Sequence, residues 1–123
     1  MPDAPKLRIG NLMLGVRDMD RSVVFYRDAL GLPVQFASEE FTFFDGGGVA
    51  LVLHRMKDLP EAPEPRRTEV VFHVADVDEA HRELVRRGVA FRIEPRVVTG
   101  QSFAADFPDP DGHVLSIFGP RRA

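Results

Sequence analysis

The stretch from Leu14 to Leu32, reading LGVRDMDRSVVFYRDALGL, contains the end of one element, the whole of a second and the stop that closes it. Leu12, Leu14 and Val16 fall on one side of an extended chain, with Asn11, Met13 and Gly15 on the other, as in a strand covered on one face. Asp18 or Asp20 then offers a carboxylate to the unpaired N–H groups at a helix start. Val23, Val24, Tyr26 and Leu30 recur at helical spacing, and Gly31 supplies the stop. Further along, Val16, Asp18 and Asp20 recur as Val74, Asp76 and Asp78, and a second helix pattern closes at Gly88. The chain carries an internal duplication.

Outward from that pair, the first half reads as a strand over Leu7–Val16, a helix, and strands at Val34–Ala37, Phe41–Phe44 and Val49–His54. The breaks fall at Ser38-Glu39-Glu40 and Gly46–Gly48. The second half repeats the order: strand Glu69–Val74, helix Val77–Arg87, and strands Val89–Ile93, Ser102–Phe107 and His113–Phe118. Asp109-Pro110-Asp111-Gly112 forms a turn before the last strand. Pro60, Pro63 and Pro65 among charges bar both a helix and a central strand, so 59–67 reads as a linker between modules 1–58 and 68–123.

The chain has 123 residues, 44% hydrophobic and 28% charged, with a net charge of −3. This is the composition of one globular domain, and the acidic balance argues against nucleic-acid or anionic-membrane partners. With no cysteine, thiol chemistry and cysteine zinc sites are excluded. Residues Met1 to Ile9 lack the apolar segment of a signal peptide, and no apolar run approaches a bilayer span, so a cytoplasmic location is expected.

The run Leu14 to Leu32, the later Val74-Ala75-Asp76-Val77-Asp78-Glu79-Ala80 and the closing stretch Asp109 to Ile117, DPDGHVLSI, resemble the vicinal oxygen chelate superfamily. That superfamily includes glyoxalase I, bleomycin-resistance proteins, fosfomycin-resistance enzymes and extradiol dioxygenases. The resemblance implies an α+β fold: two tandem βαβββ modules whose curved mixed sheets surround a cleft completed by a homodimer, often with modules exchanged between chains. It also implies four divalent-metal positions, one on the first and one on the last strand of each module.

By motif alignment those positions fall on Asn11, Val52, Glu69 and Ser116. Only Glu69 is a good ligand: Val52 has no lone pair, Ser116 is a poor neutral donor and Asn11 offers a weak carbonyl. His54 and His73 are the nearest substitutes, but Glu69 and His73 are separated by roughly 13 Å of extended strand. His81 is expected on a helix and His113 at the exit of a turn. No cofactor is therefore expected, and the leading expectation is a small-molecule-binding protein of the bleomycin-resistance type, for an antibiotic or aromatic metabolite. A metal-dependent glyoxalase- or dioxygenase-like enzyme is the alternative.

Ligand contacts are expected from Asn11, Met13, Phe41, Phe43, Val52, His54, Glu69, His73, Asp106 and Ser116. Alternation sends Phe41 and Phe43 to one face and Phe44 to the other, which leaves one aromatic pair to line a cleft or a dimer seam. Glu69 must meet solvent, a ligand or a cation such as Arg92 or Arg96, because a carboxylate is costly to bury alone.

Overall fold

A computed structural model describes residues 6, 8–58 and 68–122. Leu7 and the expected linker, 59–67, lie outside the described residues. The element order is β1 (Asn11–Val16), α1 (Met19–Val23) running on as a π-helical stretch (Val24–Ala29), β2 (Val34–Ala37), β3 (Phe41–Asp45) and β4 (Ala50–Arg55). There follow β5 (Glu69–His73), α2 (Val77–Arg86), β6 (Ile93–Thr99), β7 (Ser102–Pro108) and β8 (Val114–Pro120). The strands form two four-stranded mixed sheets of identical plan, β1-β4-β3-β2 and β5-β8-β7-β6. In each, the outer pair is parallel (β1 with β4, β5 with β8) and the others are antiparallel. The fold is the α+β pair of βαβββ modules that the duplication implies.

Local chemistry sets the helix ends. Asp18 accepts from the Arg21 N–H, and Asp76 from the N–H groups of Asp78 and Glu79, so the repeated aspartates are the two N-caps. At the end of α2, Val89 N–H bonds the Leu84 carbonyl and Gly88 N–H the Val85 carbonyl, with Gly88 at φ 95°. That pair of bonds is a Schellman stop, which favours glycine at the left-handed position and an apolar residue just beyond it.

Three expectations are corrected here. The strand placed at Val89–Ile93 is not one. Residues 89–92 are outside the strand, β6 begins at Ile93, and Val89 is buried because it closes the Schellman stop against the core. β1 begins at Asn11, and residues 8–10 are not strand. Val24, expected on the inner helix face, is exposed, whereas Phe25 packs against the core. Leu30 N–H bonds the Phe25 carbonyl and Leu32 N–H the Tyr26 carbonyl. These wide turns lag the α-helical phase and rotate the following side chains.

One hydrophobic core serves both modules. Leu14, Val16, Leu51, Leu53 and Phe44 of the first sheet join Ala105, Phe107, Leu115 and Ile117 of the second, with Tyr26 and Val77 from the helices. The tetrapeptide read as a simple turn also clasps the modules together. Tyr26 Oη donates to Asp109 Oδ2 at 2.7 Å, Ser22 Oγ to Asp111 Oδ2 at 3.3 Å, and the Arg17 N–H to Asp111 Oδ1 at 3.2 Å. His113 Nε2 lies 2.7 Å from the Gly15 carbonyl; a carbonyl only accepts, so Nε2 carries the proton.

Burial, reinforced by the Asp109 charge, pushes the Tyr26 hydroxyl well above its ordinary value of 10.0. A raised folded-state value means that its stabilising contribution is complete below the unfolded value and is lost as pH climbs above about 10. Tyr26 is the one tyrosine in the chain. Tyr26→Phe should lower stability by about 1.5–3 kcal/mol at neutral pH, the range for a hydrogen bond to a charged acceptor. It should also flatten the alkaline decline in the urea midpoint measured from pH 8 to pH 11; an unchanged slope would remove Tyr26 as its origin.

Candidate functional site

Side chains alternate across a strand, so the faces of the two sheets that do not enter the shared core are turned away from it. On the first sheet this outer face carries Asn11, Met13 and Gly15 beside Ala50, Val52 and His54. Phe43 lies next to Val52, Phe41 next to His54, and Phe36 next to Phe43. The Phe41 and His54 rings stack at 4.5 Å with planes 9° apart, and Phe36 meets Phe43 edge-on at 6.0 Å. Val52 is buried, whereas Met13 is half exposed and Phe36 is 58% exposed. Phe44 points to the core, opposite Phe41 and Phe43.

The corresponding face of the second sheet is polar. Glu69, Val71 and His73 run along β5 beside Val114, Ser116 and Phe118, and Asp106 sits directly across from Ser116. Asp106 and Ser116 are buried, while Glu69 and His73 are exposed. His73 lies 5.4 Å from Phe118, ring to ring. Arg96 donates to the Ala104 carbonyl at 3.4 Å, and the Arg92 N–H bonds the Asp106 carbonyl.

The sequence-derived residues thus fall into two sets. Asn11, Met13, Phe41, Phe43, Val52 and His54 share one sheet face, and Glu69, His73, Asp106 and Ser116 share the other. Within one chain the two sets do not look at each other, because the opposite faces of both sheets share the core. Phe36, Val71 and Phe118 also belong to these faces. Extending the alternation from Glu69 to Val71, and from Ser116 to Phe118, would have found the last two.

The donors do not suit a divalent ion. Val52 is hydrocarbon, and Ser116 is a neutral hydroxyl. β5 pairs with β8 without a register shift, which keeps Glu69 and His73 at opposite ends of a straight strand. His81 and His113 are engaged elsewhere, with Glu94 and the Gly15 carbonyl. Among the described residues, no three His, Asp or Glu side chains converge.

The family model described as "Glyoxalase/Bleomycin resistance protein/Dioxygenase superfamily" matches residues 8–117. The chain belongs to this superfamily. Among superfamily relatives, it is 29% identical over 125 residues to the uncharacterized protein YraH of Bacillus subtilis, covering 91% of this chain and 98% of that one. It is 26% identical over 108 residues to the metallothiol transferase FosB of Lysinibacillus sphaericus, covering 85% and 77% respectively. A glyoxalase/bleomycin resistance protein/dioxygenase crystal structure from Nocardioides superposes with a TM-score of 0.81 at 26% identity, over 98% of this chain and 88% of that one. Among the described residues, no helix is long and apolar enough to cross a membrane.

Proposed function

We propose that this superfamily member is a small-molecule-binding protein that sequesters a flat aromatic ligand bearing cationic or hydrogen-bond-donating groups, without a catalytic metal. The observation that carries this reading is the contrast between the two sheet faces. Phe36, Phe41, Phe43 and the stacked His54 offer a surface for ring stacking, and Glu69 and Asp106 offer carboxylates. Both faces point away from the common core, so one cleft needs the first module of one chain opposite the second module of another. A homodimer that sets the first module of each chain against the second module of its partner satisfies that requirement and covers Met13, Phe36 and Val71, which are apolar and exposed in the single chain.

Proflavine, a planar aromatic cation, serves as the probe. Fluorescence titration should saturate at one molecule per chain. Phe43→Ala and Glu69→Gln should each raise its Kd about tenfold, the loss of roughly 1.4 kcal/mol of stacking or ion pairing. Sedimentation should give a dimer, and a chelator should leave the titration unchanged.

The likeness to FosB favours a second reading, a metal-dependent enzyme. In that case elemental analysis of purified protein would find one tightly held transition ion per cleft, and Glu69→Gln would abolish metal-dependent turnover instead of only weakening proflavine binding.

A further inference from the structure

A hollow lies on the core side of the second sheet, between the end of the first helix and α2. It encloses about 300 Å³, at the small end of the range for small-molecule pockets. Leu30, Leu32, Phe72, Leu84, Phe107 and Ile117 line it, and among the described residues Glu83 and Arg87 are its charged lining residues. This position is remote from the aromatic and acidic faces described above, because the strand residues that line it, Phe72, Phe107 and Ile117, belong to the core side of the second sheet.

The charge at its mouth is unbalanced. Glu83 accepts from both Arg86 and Arg87, which leaves two guanidinium groups around one carboxylate. Those bonds hold the Glu83 carboxyl down at about 2, well below its ordinary value. Arg87 bonds Glu83 through Nε at 3.0 Å, and its side chain is 45% exposed. Its Nη1 and Nη2 make no other hydrogen bond among the described residues, and Nη1 lies over Gly31. Arg87 also lines a shallower neighbouring hollow with Arg21 and Asp28, where Arg21 donates to the Pro110 carbonyl at 2.9 Å, so Arg87 is the cation that faces the apolar hollow.

The geometry points to a binding site for a small amphipathic carboxylate, with its hydrocarbon part between the helices and its head on the free edge of Arg87. Charge-assisted bonds from a guanidinium to a carboxylate are among the stronger hydrogen bonds available. The apolar lining supplies no acceptor or donor for a polar tail.

Octanoate is the probe, followed through backbone amide resonances of the isotopically labelled full-length chain. Gly31 and Gly88 flank the hollow, and Gly15 reports on the aromatic sheet face. Octanoate should shift Gly31 and Gly88 with one-to-one saturation and leave Gly15 unmoved. Arg87→Gln, at an exposed position, should raise the octanoate Kd about tenfold while leaving that of octanol unchanged, so the discrimination between acid and alcohol disappears. Ala80→Leu, which fills the hollow from α2, should abolish both. The assignment fails if Gly15 shifts in place of Gly31 and Gly88, if Arg87→Gln leaves octanoate affinity unaltered, or if no saturable shift occurs. It fails equally if octanoate changes the sedimentation mass, since a second copy would then be the natural cover of this groove.

Discussion

Asp109→Ala should cost about 4 kcal/mol of folding free energy, read as a drop in the urea midpoint at unchanged slope. Asp109 is buried, and its two oxygens serve three donors. Oδ1 accepts from the Asp111 and His113 N–H groups at 2.9 and 2.8 Å, and Oδ2 from the Tyr26 hydroxyl at 2.7 Å. Alanine leaves all three without an acceptor in a closed interior, and each orphaned group costs roughly 1–3 kcal/mol. Against a typical total of about 5–15 kcal/mol, that loss takes much of the protein's stability.

Asp109→Asn should behave differently. Its amide oxygen keeps the two backbone bonds, and its NH₂ donates to the Tyr26 oxygen, which can also accept. Burial pushes the Asp109 carboxyl above its ordinary value of 3.8 in spite of the Tyr26 bond. The group therefore contributes its full stabilisation only when protonated, below the unfolded value, and loses it as pH rises through the folded one. At neutral pH the buried charge is a cost that asparagine lacks, so Asp109→Asn should fall within about 1 kcal/mol of the parent chain. If alanine and asparagine destabilise alike, the charge and not the acceptor geometry holds the clasp.

Phe107→Ala should destabilise the chain by about 3–5 kcal/mol, the range for removing a buried aromatic ring. Phe107 is 1% exposed, and its ring lies 5.0 Å from that of Phe91 and 6.4 Å from that of Phe25. Phe25 belongs to the first module and Phe91 to the second, so this one ring bridges the halves. Its removal also widens the hollow between the helices, which it lines. Chemical denaturation measures the loss, and Phe107→Leu should restore more than half of it by refilling volume. A loss near 1 kcal/mol would mean that the two modules hold their positions without this contact.

Much of the local structure was legible from short-range pattern. The repeated pairs Asp18/Asp20 and Asp76/Asp78 announced the helix starts, with the structure selecting Asp18 and Asp76 as the caps, and strand alternation put Phe44 on the opposite face from Phe41 and Phe43. Where pattern failed, a different local device had produced the same signal. Val89 is apolar and buried as a strand residue would be, but it is the residue that closes a Schellman stop. Val24 fitted the apolar spacing, yet its N–H bonds the Asp20 and Arg21 carbonyls and its side chain faces outward before the wide turns begin. On the second sheet face, Glu69 and Ser116 were placed by motif position, and His73 and Asp106 by strand alternation. Val71 and Phe118 were missed because an apolar residue next to a candidate ligand carries no chemical mark of its own.

The sequence by itself determined the two modules, their caps and turns, and the strand faces, because each depends on residues within a few positions of one another. Only the tertiary structure decided that both helix-bearing faces enter one core, that the Asp109–Gly112 turn binds Tyr26, Ser22 and Arg17, and that a hollow opens between the helices. Those contacts join residues 83 to 94 positions apart. Neither periodicity nor capping chemistry carries information over that distance, since it is burial and donor–acceptor pairing across the assembled core that select the partners.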